Sequence, residues 1–289
     1  MAMTYNNLYL AIRNQLKEAG SVSAGLEARE LVCCGSGKTK EQFFRDAPLD
    51  VPPETEQAIL ALVERYLQGE PIAYLIGEWE FYGLPLDVSN AVLIPRPDTE
   101  VLAAEAISFV QMKKECRVLD LCAGTGCIGL AIAANAPDSR VLLGDISEPA
   151  LQICRQNIRR NGLLEQVSVM RMNALEPPPS DIGQFHCIVS NPPYIPRADI
   201  DTLDNSVKNF EPHLALCGGE DGYDFYSAIV RFWKEALVLG GRLYFEVGID
   251  QADTIHRMMR AEGFGELGII PDLQGIPRVV YGTRLDRIS

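Results

Sequence analysis

Val118-Leu119-Asp120-Leu121-Cys122-Ala123-Gly124-Thr125-Gly126-Cys127-Ile128-Gly129 is the stretch that decides the fold. It begins apolar, passes through small residues and becomes apolar again. That order predicts a buried strand ending near Leu121 or Cys122, a tight turn, and a helix from about Cys127. Glycines in such a turn let the backbone approach a ligand with no Cβ in the way, and the helix amino end offers oriented N–H groups. A dinucleotide reading of Gly124, Gly126 and Gly129 is set aside, because helix-like sequence follows and no second nucleotide half appears.

Working outward, Arg140-Val141-Leu142-Leu143-Gly144 reads as the next strand and ends at Asp145. An acid at that tip is placed to accept hydrogen bonds from both hydroxyls of a ribose. It is equally suited to cap the helix expected near Glu148, and one residue can do both. A third strand, Val167 to Met170, leads to Asn173-Ala174, where an adenine edge would lie. The apolar run His186-Cys187-Ile188-Val189-Ser190 is a fourth strand, and Asn191-Pro192-Pro193-Tyr194 follows it directly. Consecutive prolines carry no N–H and hold φ nearly fixed, so carbonyl oxygens face outward without competing donors. The Asn191 side chain adds an acceptor and the Tyr194 ring a flat wall, which together suit a planar –NH2 group. A Pro-rich turn is the plainer reading of the tetrapeptide taken alone. A nucleoside site beside an –NH2 site implies S-adenosylmethionine next to an amide or amino acceptor.

The rest of the chain supports an α/β fold with a separate helical start. Leu8, Ile12 and Leu16, then Ile59, Leu62, Val63 and Tyr66, recur at helical spacing between about Tyr5 and Leu67. Loop signals interrupt them at Cys34-Gly35-Ser36-Gly37, Ala47-Pro48 and Val51-Pro52-Pro53, and Pro53 with Glu54 and Glu56 looks like a first helical turn. The stretch from Trp79 to Ile94 alternates and turns like a β-hairpin. From about Thr99 strands and helices alternate, as in a mostly parallel sheet covered on both faces. The expected division is therefore a helical domain over 1–77, a hairpin connector over 78–98 and a catalytic domain over 99–289.

Composition excludes several classes. The 289 residues allow one or two domains, each with a proper core. No run approaches the ~18 apolar residues of a membrane span, and the amino terminus lacks a basic segment followed by an apolar core, so a cytoplasmic enzyme without membrane attachment is expected. With 26 basic and 39 acidic residues the formal net charge is −13, which opposes stable nucleic-acid binding. Eight scattered cysteines without C-x-x-C spacing and only three histidines favour reduced, mostly buried thiols over disulfides, and no metal site is expected. Gly35-Ser36-Gly37-Lys38-Thr39 imitates the end of a P-loop, but Val32 stands where its first glycine belongs. Cys122 and Cys127 likewise have no common zinc spacing. The sequence assigns no oligomeric state.

These motifs together resemble the HemK/PrmC family of protein-(glutamine-N5) methyltransferases, and the resemblance runs over nearly the whole chain. Pro71-Ile72-Ala73-Tyr74-Leu75-Ile76-Gly77 is similar to the segment closing that family's helical domain, and Ile94-Pro95-Arg96-Pro97-Asp98-Thr99-Glu100 to the one opening its catalytic domain. The glycine turn, Asp145, the Asn191–Tyr194 tetrapeptide, Phe210-Glu211-Pro212, Gly218-Gly219-Glu220-Asp221-Gly222, and Asp272-Leu273 through Arg278-Val279-Val280 follow in family order. The tetrapeptide alone is shared with DNA adenine and ribosomal RNA guanine methyltransferases.

The resemblance implies a Rossmann-like, seven-stranded methyltransferase domain whose last strand, about Val279 to Leu285, is antiparallel, preceded by a helical domain that helps grip a protein substrate. It implies S-adenosylmethionine as cofactor, with Cys122, Ala123, Gly124, Thr125 and Gly126 along its methionine part, Asp145 on the ribose, and Asn173 and Ala174 at the adenine. Asn191 would touch both cofactor and acceptor, while Pro192, Pro193 and Tyr194 hold the acceptor side chain. Asn191, Pro192 and Tyr194 are thus the expected catalytic set. Cys122 stands where a glycine is usual and Asn173 where an acid is frequent. The implied acceptor is the glutamine of the Gly-Gly-Gln motif in peptide chain release factors. A glutamine of a ribosomal protein, a nucleic-acid base and a catalytically idle cofactor-binding adaptor are the alternatives. Arg96 and Glu100 either shape the pocket or, on the plainer reading, form a salt bridge at the domain junction. Gly218–Gly222 is either a mobile substrate-facing loop or a glycine-rich turn before a helix near Tyr223, and Glu246, ending the strand Leu243-Tyr244-Phe245, either lies near the acceptor or is structural. None of them is assigned a catalytic role.

Overall fold

The computed structural model describes residues 3–286. The ends of the expected first and last domains, residues 1–2 and 287–289, lie outside the described residues. The chain forms two compact units: one comprises the chain up to Glu78 together with Asp204–Phe210, the other Trp79–Leu203 and the chain from Glu211 onward.

The first unit is helical: α1 (Tyr5–Glu18), α2 (Ala24–Ser36), α3 (Lys40–Asp46), α4 (Pro53–Leu67) and α5 (Ile72–Ile76). Leu8, Ile12 and Leu16 of α1 and Ile59 and Val63 of α4 are buried in a core of their own, as their spacing predicts. Pro53 opens α4, with Glu54 and Glu56 in its first turn. One loop expectation is corrected. Cys34, Gly35 and Ser36 are helical, and α2 ends only at Gly37, whose φ of +65° closes it in the left-handed region. Gly35 is there for packing: a Cβ on it would lie 2.7 Å from Ile59 Cγ1 and 2.8 Å from Ile59 Cα. Local sequence cannot distinguish such a contact from a breaker.

The second unit opens with a hairpin, β1 (Glu78–Phe81) and β2 (Leu84–Asp87), turned at Tyr82 and Gly83 with φ of +51° and +75°. The main body follows as α6 (Thr99–Gln111), β3 (Arg117–Leu121), α7 (Cys127–Asn135), β4 (Arg140–Asp145), α8 (Glu148–Arg160), β5 (Val167–Arg171) and β6 (Phe185–Ser190). After the short α9 (Asn205–Lys208), which clusters with the first unit, come α10 (Asp224–Phe232), β7 (Leu237–Glu246), α11 (Ala252–Ala261), β8 (Phe264–Pro271) and β9 (Pro277–Arg284). The hairpin is held to this body by Asn157 of α8, which is fully buried. Its Oδ1 accepts from Asp87 N–H at 2.6 Å, while its Nδ2 donates to the carbonyls of Asp87 and Thr125.

The seven strands lie in the order β5-β4-β3-β6-β7-β9-β8. Pairing is parallel from β5 to β7, and β9 runs antiparallel to both of its neighbours, as expected for the last strand. Both faces are covered. Val118, Val141, Val189 and Tyr244 point into a core shared with α6, α7 and α8. Their neighbours Leu119, Ile188, Leu243 and Phe245 point into a second core with Tyr226, Ile229, Ile255 and Met259 of α10 and α11. Strand order reverses between β3 and β6, so the crevice at their carboxyl ends is where such a sheet holds ligands. The chain places Cys122–Gly126 after β3 and Asn191 after β6, one on each side of that point.

Candidate active site

The turn after β3 is shaped for close approach. Cys122 takes φ of +66°, a conformation that costs a side-chain-bearing residue about 1–2 kcal/mol, and Gly124 and Gly126 follow at +56° and +80°. A Cβ on Gly126 would lie 2.8 Å from Leu143 Cδ1. Two bonds lock the turn to the neighbouring strand: Ala123 N–H donates to the Gly144 carbonyl at 3.0 Å, and Gly124 N–H to Asp145 Oδ2 at 2.9 Å. Ser190 Oγ donates to the Leu121 carbonyl at 2.6 Å and ties the ends of β3 and β6 together. Asp120, fully buried, receives Gly129 N–H on Oδ2 at 2.8 Å and so supports the amino end of α7 from within the strand. Its Oδ1 has no partner, and burial raises its carboxyl to about 7. Burial also pushes the Cys122 and Cys127 thiols up, so neither is a thiolate near neutral pH.

These pieces line one cleft, with about 1130 Å³ of empty space including the solvent at its mouth. Apolar side chains set with a few polar groups, among them Thr99, Asp145 and Asn191, make a lining of the kind that binds small molecules. Of the predicted residues, Cys122, Ala123, Gly124, Thr125, Asp145, Asn173, Ala174, Asn191 and Pro193 line the cleft, whereas Gly126, Pro192 and Tyr194 do not. Asp145 ends β4. Its Oδ1 accepts from Ser147 N–H at 2.9 Å, and burial raises its carboxyl while the surrounding backbone N–H groups pull it back. It does not cap α8; Ser147 does, accepting from Ala150 N–H. Asp145 therefore keeps lone pairs for a diol. Asn173 is held by its own turn, its Oδ1 accepting from Leu175 N–H at 3.1 Å and its Nδ2 donating to Glu176, with one lone pair of the oxygen left over. Around it Ile146 and Leu175 expose apolar surface to the cleft, as a flat aromatic base requires.

On the other side, Asn191 Nδ2 donates to Thr99 Oγ1 at 3.4 Å, leaving Oδ1 as the acceptor of that amide. Tyr194 is partly buried and packs against the edge of the second core, and the loss of solvent raises its phenol to about 12. Its carbonyl accepts from Gln251 Nε2 at 3.1 Å, and Gln251 Oε1 in turn accepts from Gly248 N–H at 3.0 Å. The segment Gly218–Gly222 is a packed backing for this loop. Gly218 N–H donates to the Ile195 carbonyl at 2.9 Å, and a Cβ on Gly218 or Gly222 would meet the Pro193 or Tyr194 carbonyl at 2.7 or 2.4 Å.

Thr99, Arg96, Ile146, Leu175 and Phe225 also line the cleft and were not assigned to it from sequence. Arg96 pairs with buried Glu211 at 2.5 Å, and Glu211 also accepts from Ile94 N–H. Glu100 instead receives Tyr82 N–H at 2.9 Å. The Ile94–Glu100 and Phe210–Pro212 motifs carried the signal, but only the fold shows that Arg96 and Glu211 meet. All eight cysteines are free. Among the described residues no cluster is suited to a metal ion and no helix is long and apolar enough to cross a membrane.

The comparisons with known proteins agree with this layout. The profile of the Methyltransferase small domain matches residues 99–214, and that of the PrmC N-terminal domain matches residues 7–77. A protein of Thermodesulfovibrio yellowstonii named release factor glutamine methyltransferase is 36% identical over 88% of this chain and 90% of its own. The chain belongs to the release factor glutamine methyltransferase family. Another member, from Geobacter sulfurreducens, is 38% identical over 93% of both chains. A crystallised methyltransferase from Pyrococcus furiosus shares the fold, at 17% identity and a TM-score of 0.52 over 77% of this chain and 98% of that one.

Proposed function

We propose that this chain transfers the methyl group of S-adenosylmethionine to the side-chain amide nitrogen (N5) of the glutamine in the Gly-Gly-Gln motif of peptide chain release factors. The observation that carries this reading is Asn191: its Nδ2 faces Thr99 and Glu246, which turns its oxygen toward the cleft beside the glycine turn and Asp145. The names of the relatives above supply the acceptor protein. A cytoplasmic setting follows from that substrate, and the net charge of −13 argues against stable nucleic-acid binding.

The residues present fit the cofactor. The strained turn from Cys122 to Gly126 leaves backbone close to the cleft for the methionine part. Asp145 retains acceptor capacity for the ribose, and Ile146, Leu175 and Ala174 offer an apolar bed for adenine. When bound, S-adenosylmethionine supplies an electrophilic methyl on a positively charged sulfur. The protein's task is to hold the acceptor nitrogen in line with it, at the ~3–3.5 Å of a near-attack arrangement. A primary amide nitrogen is a weak nucleophile because its lone pair is delocalised into the carbonyl. In this reading Asn191 Oδ1, in the cleft lining, accepts one of its N–H groups and favours the positive charge that grows there, and the carbonyl of Pro192, next to the lining, is the acceptor proposed for the other. Pro193 bounds the acceptor pocket. Tyr194 contributes by anchoring the motif through its carbonyl and its partly buried ring. The helical domain over 1–77 grips the substrate protein, with 78–98 as its connection to the catalytic domain over 99–289.

The test is transfer of labelled methyl to purified release factor and to its Gly-Gly-Gln glutamine→alanine variant. Label confined to the intact factor supports the reading. Label in a ribosomal protein or in DNA, with none in the factor, overturns the acceptor assignment.

A further inference from the structure

Beside Asn191 lies an acid that the chemistry above does not use. Glu246 ends β7 and is 3% exposed, and its Oε2 is fully buried with no hydrogen-bond partner. β7 pairs with β6 in the register Phe245↔Ser190, so the next residue along each strand is Glu246 or Asn191. Burial raises the Glu246 carboxyl to about 7, against the pull of the Thr99 hydroxyl, the Arg278 charge and the Asn191 amide. A buried carboxyl left incompletely paired is costly, and a glutamine of the same shape would cost less. Neutralising Arg278 does not explain it, since Arg278 already pairs with Asp98 at 2.9 Å and Asp272 at 3.1 Å.

The contacts have a direction. Thr99 Oγ1 accepts from Asn191 Nδ2, which leaves the single Thr99 hydroxyl proton for an acceptor, and the Glu246 carboxyl faces it. The Asn191 amide faces the Glu246 carboxyl as well, so an acceptor there draws both the Thr99 O–H and the Asn191 N–H groups to its side and polarises the cluster in one sense. An asparagine amide can otherwise be turned over with almost no change of shape, which would present NH2 to the acceptor nitrogen and repel its N–H groups. We propose that Glu246 is a positioning residue which, with Thr99, holds the Asn191 amide with its oxygen toward the acceptor. This rests on the Asn191 reading given above. The ionised carboxylate is the effective form, because it is purely an acceptor and so dictates the sense of the cluster.

The experiment compares wild type with Glu246→Gln and Thr99→Val, both close to the native shape. Expected for each is a fall in kcat of about 10- to 100-fold, the cost of a misplaced catalytic group. Cofactor affinity by calorimetry and the melting temperature stay near wild type. The rise of kcat through pH ~7 that Glu246 confers disappears in Glu246→Gln. The titratable and charged groups facing Glu246 are Asp98, Arg278, Cys127, Tyr194 and Tyr226. Burial holds the tyrosines and the cysteine well above that range, and Arg278 stays charged. Asp120 titrates in the same range, so the inflection is assigned by its loss in Glu246→Gln and its persistence in Asp120→Asn. A second readout is independent of turnover: the Asn191 side-chain amide resonances shift with pH in wild type and not in Glu246→Gln. The proposal is overturned if Glu246→Gln keeps wild-type kcat and pH profile, or if its loss is matched by an equal loss of cofactor affinity. A wild-type enzyme that labels no glutamine refutes the functional reading instead, while the amide resonances still decide the role of Glu246.

Discussion

Replacing Gly222 by alanine should damage turnover more than stability alone explains. Gly222 has φ of +83°, and a Cβ there would lie 2.4 Å from the Tyr194 carbonyl oxygen, 2.9 Å from Gln251 Nε2 and 3.3 Å from Pro196 Cδ. The left-handed backbone costs alanine about 1–2 kcal/mol, and overpacking against a backbone atom adds about 1–3 kcal/mol. Gln251 donates both to the Tyr194 carbonyl and to that of Gly222, so the strain is relieved by shifting the Asn191–Tyr194 loop. A shift of ~1 Å at a positioned catalytic group lowers rate by about 100-fold. Gly275→Ala is the control: its φ is +84°, yet nothing lies within 4 Å of the added Cβ. Both variants should melt lower, at ~2–4 °C per kcal/mol for a unit of this size. Gly222→Ala should lose the additional overpacking increment and, at saturating cofactor, most of its methyl transfer. The reasoning is refuted if both variants melt together and both retain wild-type turnover.

Asp145→Ala should weaken cofactor binding by about 10- to 100-fold in calorimetry, the loss of charge-assisted hydrogen bonds worth about 1.5–3 kcal/mol. Asn157→Leu should destabilise the second unit by about 2–4 kcal/mol in urea melts, because the Asp87 N–H and two carbonyls lose their partner. Burial raises Asp120 to about 7 from an unfolded value near 4. The folded state therefore binds its proton more tightly. That contribution to stability is complete below pH ~4 and is lost as pH rises through ~7. Asp120→Asn should flatten this part of the stability–pH curve; an unchanged slope would count against the burial argument.

What could be read in advance were features written within one element and its turn. The apolar run into Leu121, the small residues to Gly126 and the apolar restart at Cys127 define a strand, a turn and a helix with no help from elsewhere. Asp145, Asn173 and Asn191 follow strands in the same local way, and all three line the cleft. Features that depend on distant partners were missed. Gly35 looks like a breaker, yet it is a contact point for Ile59. The close backing of the Tyr194 segment by Gly218, Gly222 and Gly248, which leaves its ring packed against the second core, is likewise not written in the tetrapeptide itself. Another feature not read in advance is the bond from Leu175 N–H that fixes the Asn173 side chain within its own turn. Thr99 and Glu246 stand far apart in sequence. They come together only through the register of β7 with β6 and the start of α6.

Asn191 is the centre of the account, so the most direct measurement is labelled methyl transfer to release factor by wild-type and Asn191→Ala enzyme side by side. The glutamine→alanine factor serves as the blank. The account predicts label on the intact factor only, absent with Asn191→Ala although that enzyme still binds S-adenosylmethionine. Undiminished transfer by Asn191→Ala, or label entering the alanine factor equally, would contradict it.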